Sequence, residues 1–265
     1  MTGGARGWLL LALAACLCAP LAAAPAEAPN TMPAEEDSGG AAVQALATDF
    51  FAWRRVQQPS TGDDIPRVER PDGWVPDFSA QALEASRKKY REYLLAVERL
   101  DTTGWSVATK IDARLLRAAI QRVYWELEVL ESPHRNPLFY LDQTLGSVFE
   151  LLLISSPIDE ARARNILLRL ERFPHTLEAA RSNLDRAVRP FAQATIVSLE
   201  GIGGRLQRME KALAEAFPHD LRPRLSAAVA AATVALDNYS AWLHSRLGSM
   251  QTAFALGPDA YQWFL

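Results

Sequence analysis

From Ala41 to the end of this 265-residue chain the apolar residues recur at steps of three and four, and no alternation is long enough to make a strand. Periodicity of that extent predicts an all-α fold, an antiparallel array of long amphipathic helices, because each apolar stripe must be buried against another. The plainest stripe runs Leu225, Val229, Ala232, Leu236, Tyr239, Leu243 and Leu247, one side of a helix that leaves Asp237 and Arg246 elsewhere. A second runs Thr195, Leu199, Ile202, Leu206, Met209, Leu213 and Phe217, and a third Ile111, Leu115, Ile120, Val123, Leu127 and Leu130. Shorter patterns cover 43–57, 80–100, 158–173 and 177–188, and a further helix is expected within 137–154.

Proline supplies the punctuation. Ser156 before Pro157 reads as an N-cap with proline at the first helical position, and Asp159 and Glu160 favour the positive end of the helix that follows. Pro174, Pro190, Pro218 and Pro223 fall between periodic segments. Residues 59–76 hold four prolines and three aspartates without helical period. This is the one long Pro-rich loop, and a connection of that length in a compact domain is either functional or wrapped over the surface.

The N-terminus is an address. A short basic start, an apolar run from Trp8 to Leu17 and small residues to Ala24 make the three regions of a secretory signal over 1–24. Leu13-Ala14-Ala15-Cys16 matches the lipobox of bacterial lipoproteins, with Cys16 as the lipidation candidate and mature N-terminus. Alternatively Cys16 and Cys18 are small apolar residues of a signal cut after Ala23 or Ala24. Both readings predict export, to the periplasm or to a lipid anchor on the outer membrane. Residues 25–40 read as a disordered tether, and 41–265 as the helical domain. Both cysteines lie in the signal, so the domain has no disulfide, thiolate nucleophile or cysteine-ligated zinc.

Charge narrows the partners. The net charge is -3 with both signs interleaved, so no basic face invites nucleic acid, and a membrane is reached only through the lipid anchor. The four histidines, His134, His175, His219 and His244, are scattered, and none sits in an H-E-x-x-H arrangement. His175 and His219 each follow a Phe-Pro pair, where turn or capping roles are expected. Gly201-Ile202-Gly203-Gly204 has no strand before it, so close packing or a kink explains it better than a phosphate loop. Asp63 and Asp64 read as solvated loop charges, and Ser155 and Ser156 lack a nucleophile-elbow context. No catalytic set, metal site or bound cofactor emerges. Aromatics near irregular backbone often line clefts, so Trp74 in the loop, with Asn136 and Tyr140 in Asn136-Pro137-Leu138-Phe139-Tyr140-Leu141, are the substrate-cleft candidates.

Four runs carry a family resemblance: FFAWRRVQQPSTGDDIPRVERPDGWVPDFS, LLRAAIQRVYWELEVLESPHRNPLFYL, LLRLERFPHTLEAARSNL and the closing LGPDAYQWFL. In this order they resemble the bacterial family called domain of unknown function 885. The resemblance implies an all-helical, zinc-dependent hydrolase of peptidase type, acting on peptide or acyl-amide bonds, whose metal motif H-E-x-x-P-G-H comes later with an E-G-W segment. Neither motif is present here, so zinc is implied for full-length relatives only. The expectation is therefore the cleft-forming N-terminal half of such an enzyme, inactive alone. Its partner would be the missing catalytic half, or another copy met through the apolar terminus at Tyr261, Trp263, Phe264 and Leu265. The alternative is a stand-alone periplasmic or lipid-anchored helical binding protein.

Overall fold

The computed structural model describes residues 38–61, 64, 67–153 and 157–264. Cys16, the signal, most of the tether, Asp63, Ser155 and Ser156 lie outside them. The described chain contains no strand and forms eleven α-helices: α1 Ser38–Arg54, α2 Ala80–Glu98, α3 Val107–Tyr124, α4 Ser132–Arg135, α5 Pro137–Leu141, α6 Ser147–Leu152, α7 Glu160–Asn183, α8 Arg189–Leu199, α9 Ile202–Ala216, α10 Arg222–Arg246 and α11 Pro258–Phe264. Two π-helical turns interrupt this order, Trp125–Val129 after α3 and Asp142–Gly146 between α5 and α6.

The helices bury two apolar clusters. The first joins α1, α2 and α3 through Val43, Phe50, Tyr90, Tyr93, Leu116 and Ile120. The Tyr93 hydroxyl donates to Asp49 Oδ2 at 2.9 Å, and Trp53 meets Tyr90 edge-on, so α1 and α2 run in opposite directions. Glu98 near the end of α2 pairs with Arg117, while Arg87 near its start pairs with Glu128 beyond the end of α3, which makes α2 and α3 antiparallel as well.

The second cluster is organised around α10, whose Leu225, Val229, Ala232, Leu236, Tyr239 and Leu243 are buried as their spacing predicts. Arg189 at the start of α8 donates to Leu247 O just past the end of α10, and Gly203 of α9 lies against Thr233. The stripe from Thr195 to Phe217 therefore runs antiparallel along α10, but it is two helices and not one. Glu200 ends α8, and Gly201 turns with φ +67°, a left-handed conformation that glycine adopts without strain. A Cβ at Gly203 would lie 3.2 Å from Thr233 Cγ2, so that glycine admits the close approach of α9 to α10. α7 runs in the same direction as α10: Glu171 pairs with Arg224 near the start of α10, and Asn183 lies by Tyr239 through Tyr140 and Pro137.

Three boundaries differ from the sequence reading. Asp159 caps α7, its side chain accepting from Arg162 N, but the helix then continues through Pro174 to Asn183. Proline removes one hydrogen bond there, and burial of Leu170 and Phe173 before it and Leu177 after it holds the two halves in line. His175 is consequently an exposed mid-helix residue, not a turn residue. Pro190 and Pro223 likewise lie inside the first turns of α8 and α10 and not between elements, at positions where the missing N–H is not needed. The third stripe holds at Ile120, Val123 and Leu127, all fully buried, but misses at its start, where Ala113 and Leu116 are buried and Ile111 is 49% and Leu115 61% exposed.

Candidate cleft beneath the Pro-rich loop

The Pro-rich loop is tied down by arginines. Arg54, fully buried at the end of α1, donates to Gln57 O at 2.9 Å, to Pro59 O at 2.7 Å and to Asp64 Oδ2 at 2.7 Å. A carbonyl-rich turn with a cis Gln58–Pro59 bond thus finds its donors in one guanidinium. Arg70 donates to Arg54 O and Pro59 O from the other limb of the loop, and burial followed by the nearness of Arg54 brings its pKa down to about 10. Asp64 is pushed up from the ordinary carboxylate range by burial, against the pull of Arg54 and Arg70.

Trp74 closes this knot. Its Nε1 donates to Val56 O at 3.0 Å, and the guanidinium carbons of Arg70 and Arg169 lie 4.6 and 5.3 Å from its ring centroid. Asn136 caps α5, its side chain accepting from Leu138 N at 3.0 Å. Tyr140 is fully buried and donates to Pro133 O, while Asn183 donates to its hydroxyl at 3.0 Å. Burial pushes the Tyr140 hydroxyl up from its usual pKa. The structure thus gathers Asn136 and Tyr140 at α5, and places Trp74 apart from them in the loop.

The open space lies next door. A cleft of about 520 Å³ separates the start of the loop from the two π-helical turns. Ser60 spans its floor: its N–H donates to Gln143 Oε1, and its hydroxyl donates to the Glu150 carboxylate at 2.8 and 3.0 Å. Arg169 donates to Ser147 O and lies 3.7 Å from Glu150 Oε2. Arg122 donates to Thr61 Oγ1 at 2.5 Å and lies 3.8 Å from Glu126, the first acidic residue of the α3 π turn. Asp142 opens the second π turn, and its carboxyl is pushed up by burial and then by the like charge of Glu126. Arg67 and Phe139, the neighbour of Tyr140, complete the rim.

The π turns explain this convergence. Each inserts an extra residue into a helical course and re-aims the side chains that follow, a distortion that recurs at functional sites. Pattern reading in steps of three and four passes over such a turn, which is why Glu126, Asp142 and Gln143 did not stand out. The resulting cleft is lined by cations and carboxylates together, Arg67 and Arg122 with Glu126, Asp142 and Glu150, and by the exposed ring of Phe149. That combination suits a dipolar, uncharged backbone such as an amide.

A zinc centre of the kind implied by the family resemblance does not fit the described residues, which hold no group of three His, Cys, Asp or Glu able to bind a metal. His134 Nδ1 is engaged by Asp185 Oδ1 at 2.9 Å and Asn183 O at 3.0 Å, and His175, His219 and His244 are exposed and dispersed. No helix among the described residues is long and apolar enough to cross a membrane.

Residues 57–265 match the model of a family described as "Bacterial protein of unknown function (DUF885)". None of the curated proteins compared matches the sequence. A solved structure described as "a putative lipoprotein of unknown function", from Shewanella oneidensis, superposes with a TM-score of 0.64 at 15% identity, which shows a shared fold. The match covers 86% of this chain and 41% of that one, so this chain spans less than half the length of its structural neighbour.

Proposed function

We propose that this chain, which belongs to the bacterial DUF885 family, binds peptides or acyl amides through its helical domain, as one wall of the substrate cleft of a zinc-dependent hydrolase of the kind its sequence resemblance implies. The observation that carries this reading is the 520 Å³ cleft between the Pro-rich loop and the two π turns. Arg122 and Arg67 offer donors to amide carbonyls, and Glu126 and Asp142 accept from amide N–H groups. The metal ligands and the activated water belong, in this reading, to a catalytic half beyond these residues. No step of hydrolysis is assigned to a residue described above.

Export belongs to the same reading: the signal at 1–24 delivers the protein to the periplasm, or Cys16 is acylated and anchors it to the outer membrane. The lipoprotein description of the structural neighbour supports the second route. Mass spectrometry of the mature N-terminus from the native host decides between them, and an intact Met1 removes both. The partner surface is the apolar groove formed by Trp125, Leu256, Pro258 and Tyr261, where the catalytic half or a second copy would pack.

The cleft reading is tested by titrating the ¹⁵N-labelled chain with N-acetyl-glycylglycine. Shift changes centred on Gln143 and Glu126 are expected, with affinity reduced about tenfold in Arg122→Met and Asp142→Ala. Absence of any change at millimolar peptide overturns the cleft. Zinc content after dialysis and turnover of a peptide library are measured alongside. Stoichiometric zinc with metal-dependent turnover would place catalysis within this chain, and binding without turnover under every metal condition fits a cleft wall or a binding protein.

A further inference from the structure

A second cavity adjoins the cleft. It measures about 360 Å³ and is walled by Leu145, Val148, Leu152, Leu170, Phe173 and Ile202, with Leu206 and Met209 deeper along α9. Arg205 at its margin is already committed to Ser198 O, so the lining presents almost nothing polar to a ligand. Enclosed apolar cavities of about 150 Å³ take up benzene, and this space, more than twice that size and partly open to solvent beside Phe149, has room for a chain or a large ring.

Two residues line both cavities: Gly146 and Phe149, three apart and therefore on the same side of one helical turn. Phe149 is 58% exposed and stands as a low divide. Beside it Gly146 leaves a gap, because a Cβ there would meet nothing nearer than Asp142 Cβ at 3.8 Å. Gly146 has φ -59° and ψ -43°, ordinary helical values, so its backbone does not require glycine. What glycine provides at this position is the open saddle between a charged basin and an apolar one.

We infer that the ligand is an amphipathic amide, a peptide or N-acyl amino acid whose single large apolar group passes over Gly146 into the apolar cavity while its amide backbone occupies the cleft. This rests on the cleft reading above and adds the chemical class. The apolar group is drawn in by burial of its own surface together with that of Phe149 and the cavity lining. A free hydrocarbon lacks the polar half, and a wholly polar peptide leaves the larger gain unused.

The test is a homologous series on the purified chain: N-acetyl-, N-butanoyl-, N-hexanoyl- and N-octanoyl-glycylglycine, followed by calorimetry. Affinity is expected to rise roughly fourfold per added methylene until the cavity is full. Gly146→Leu should remove that rise by blocking the saddle, with a melting temperature no lower than that of the parent, since leucine favours the helix. Met209→Trp, which fills the cavity from α9, should flatten the series by an independent route. If the acetyl compound binds and the series is flat, the apolar cavity is overturned and the cleft stands. If affinity climbs with chain length but Asp142→Ala and Arg122→Met change nothing, the cleft reading fails and the amphipathic ligand with it. Full retention of the rise in Gly146→Leu also overturns the proposed passage.

Discussion

Ser60 and Gln143 hold each other by a reciprocal pair of hydrogen bonds, Ser60 N–H to Gln143 Oε1 at 2.7 Å and Gln143 Nε2–H to Ser60 O at 2.9 Å. An amide side chain here imitates a neighbouring strand, satisfying both backbone groups of a buried loop residue with one side chain. Replacing Gln143 with alanine strands two buried backbone groups and should lower stability by about 2–4 kcal/mol. The same variant should make the 59–76 loop the first site of proteolytic cleavage. Urea titration with timed proteolysis checks both, and an unchanged cleavage pattern would show that Arg54 and Arg70 suffice to hold the loop.

Glu128 supplies a pH-dependent term. Burial raises its pKa, but Arg87, with bonds of 3.1 and 2.9 Å, and Arg91, at 3.0 Å, bring it to a net value below the ordinary glutamate range. A carboxylate with a depressed folded pKa contributes stability that is complete above its unfolded value, about 4.3, and lost as pH falls through the folded one. Glu128→Gln should therefore cost about 1 kcal/mol at pH 7, with the parent and variant curves converging below pH 4. Equal differences at pH 7 and pH 3 would show that the loss is steric and not ionic.

Gly201→Ala isolates a backbone effect. A Cβ at this position meets nothing within 4 Å, so the penalty comes only from holding alanine at φ +67°. A loss of about 1 kcal/mol is expected, and thermal unfolding reads it directly. A neutral result would mean that the joint between α8 and α9 relaxes to another conformation.

Leu236→Asp should destabilise by several kcal/mol, because it places an unpaired charge at a fully buried position midway along α10. A melting temperature equal to that of the parent would contradict the face assigned to this helix.

The α10 stripe was legible because twenty-five residues of unbroken helix leave one phase for the eye to follow. The course from Thr195 to Phe217 was legible in its buried face but not in its break, since Gly201 turns the chain while the apolar rows stay in line. Pro174 misled in the other direction: proline disfavours a helix interior locally, and only the packing of Phe173 and Leu177 overrides it. Trp74, Asn136 and Tyr140 were conspicuous as residue types in irregular segments, and the structure ties Trp74 to Val56, Asn136 to Leu138 and Tyr140 to Pro133 and Asn183. The cleft itself depends on long-range pairings such as Ser60 with Gln143 and Arg122 with Thr61, whose separations of 83 and 61 residues carry no local signature.

The division of the interior into two clusters has a dynamic consequence. Helices α1 and α3 and the later part of α2 share one set of apolar contacts and α7 to α10 another, with Leu83 at the start of α2 joining the second, so α1 and α3 are expected to open as a cooperative unit while the second cluster stays closed. The Pro-rich loop belongs to that opening, because Arg54, its main anchor, is carried on α1. A ligand seated beneath the loop must raise the free energy of this partial unfolding. Its binding would therefore register as slowed amide hydrogen exchange in α1, on a helix whose Val43 and Phe50 are turned toward α2 and α3 and not toward the cleft.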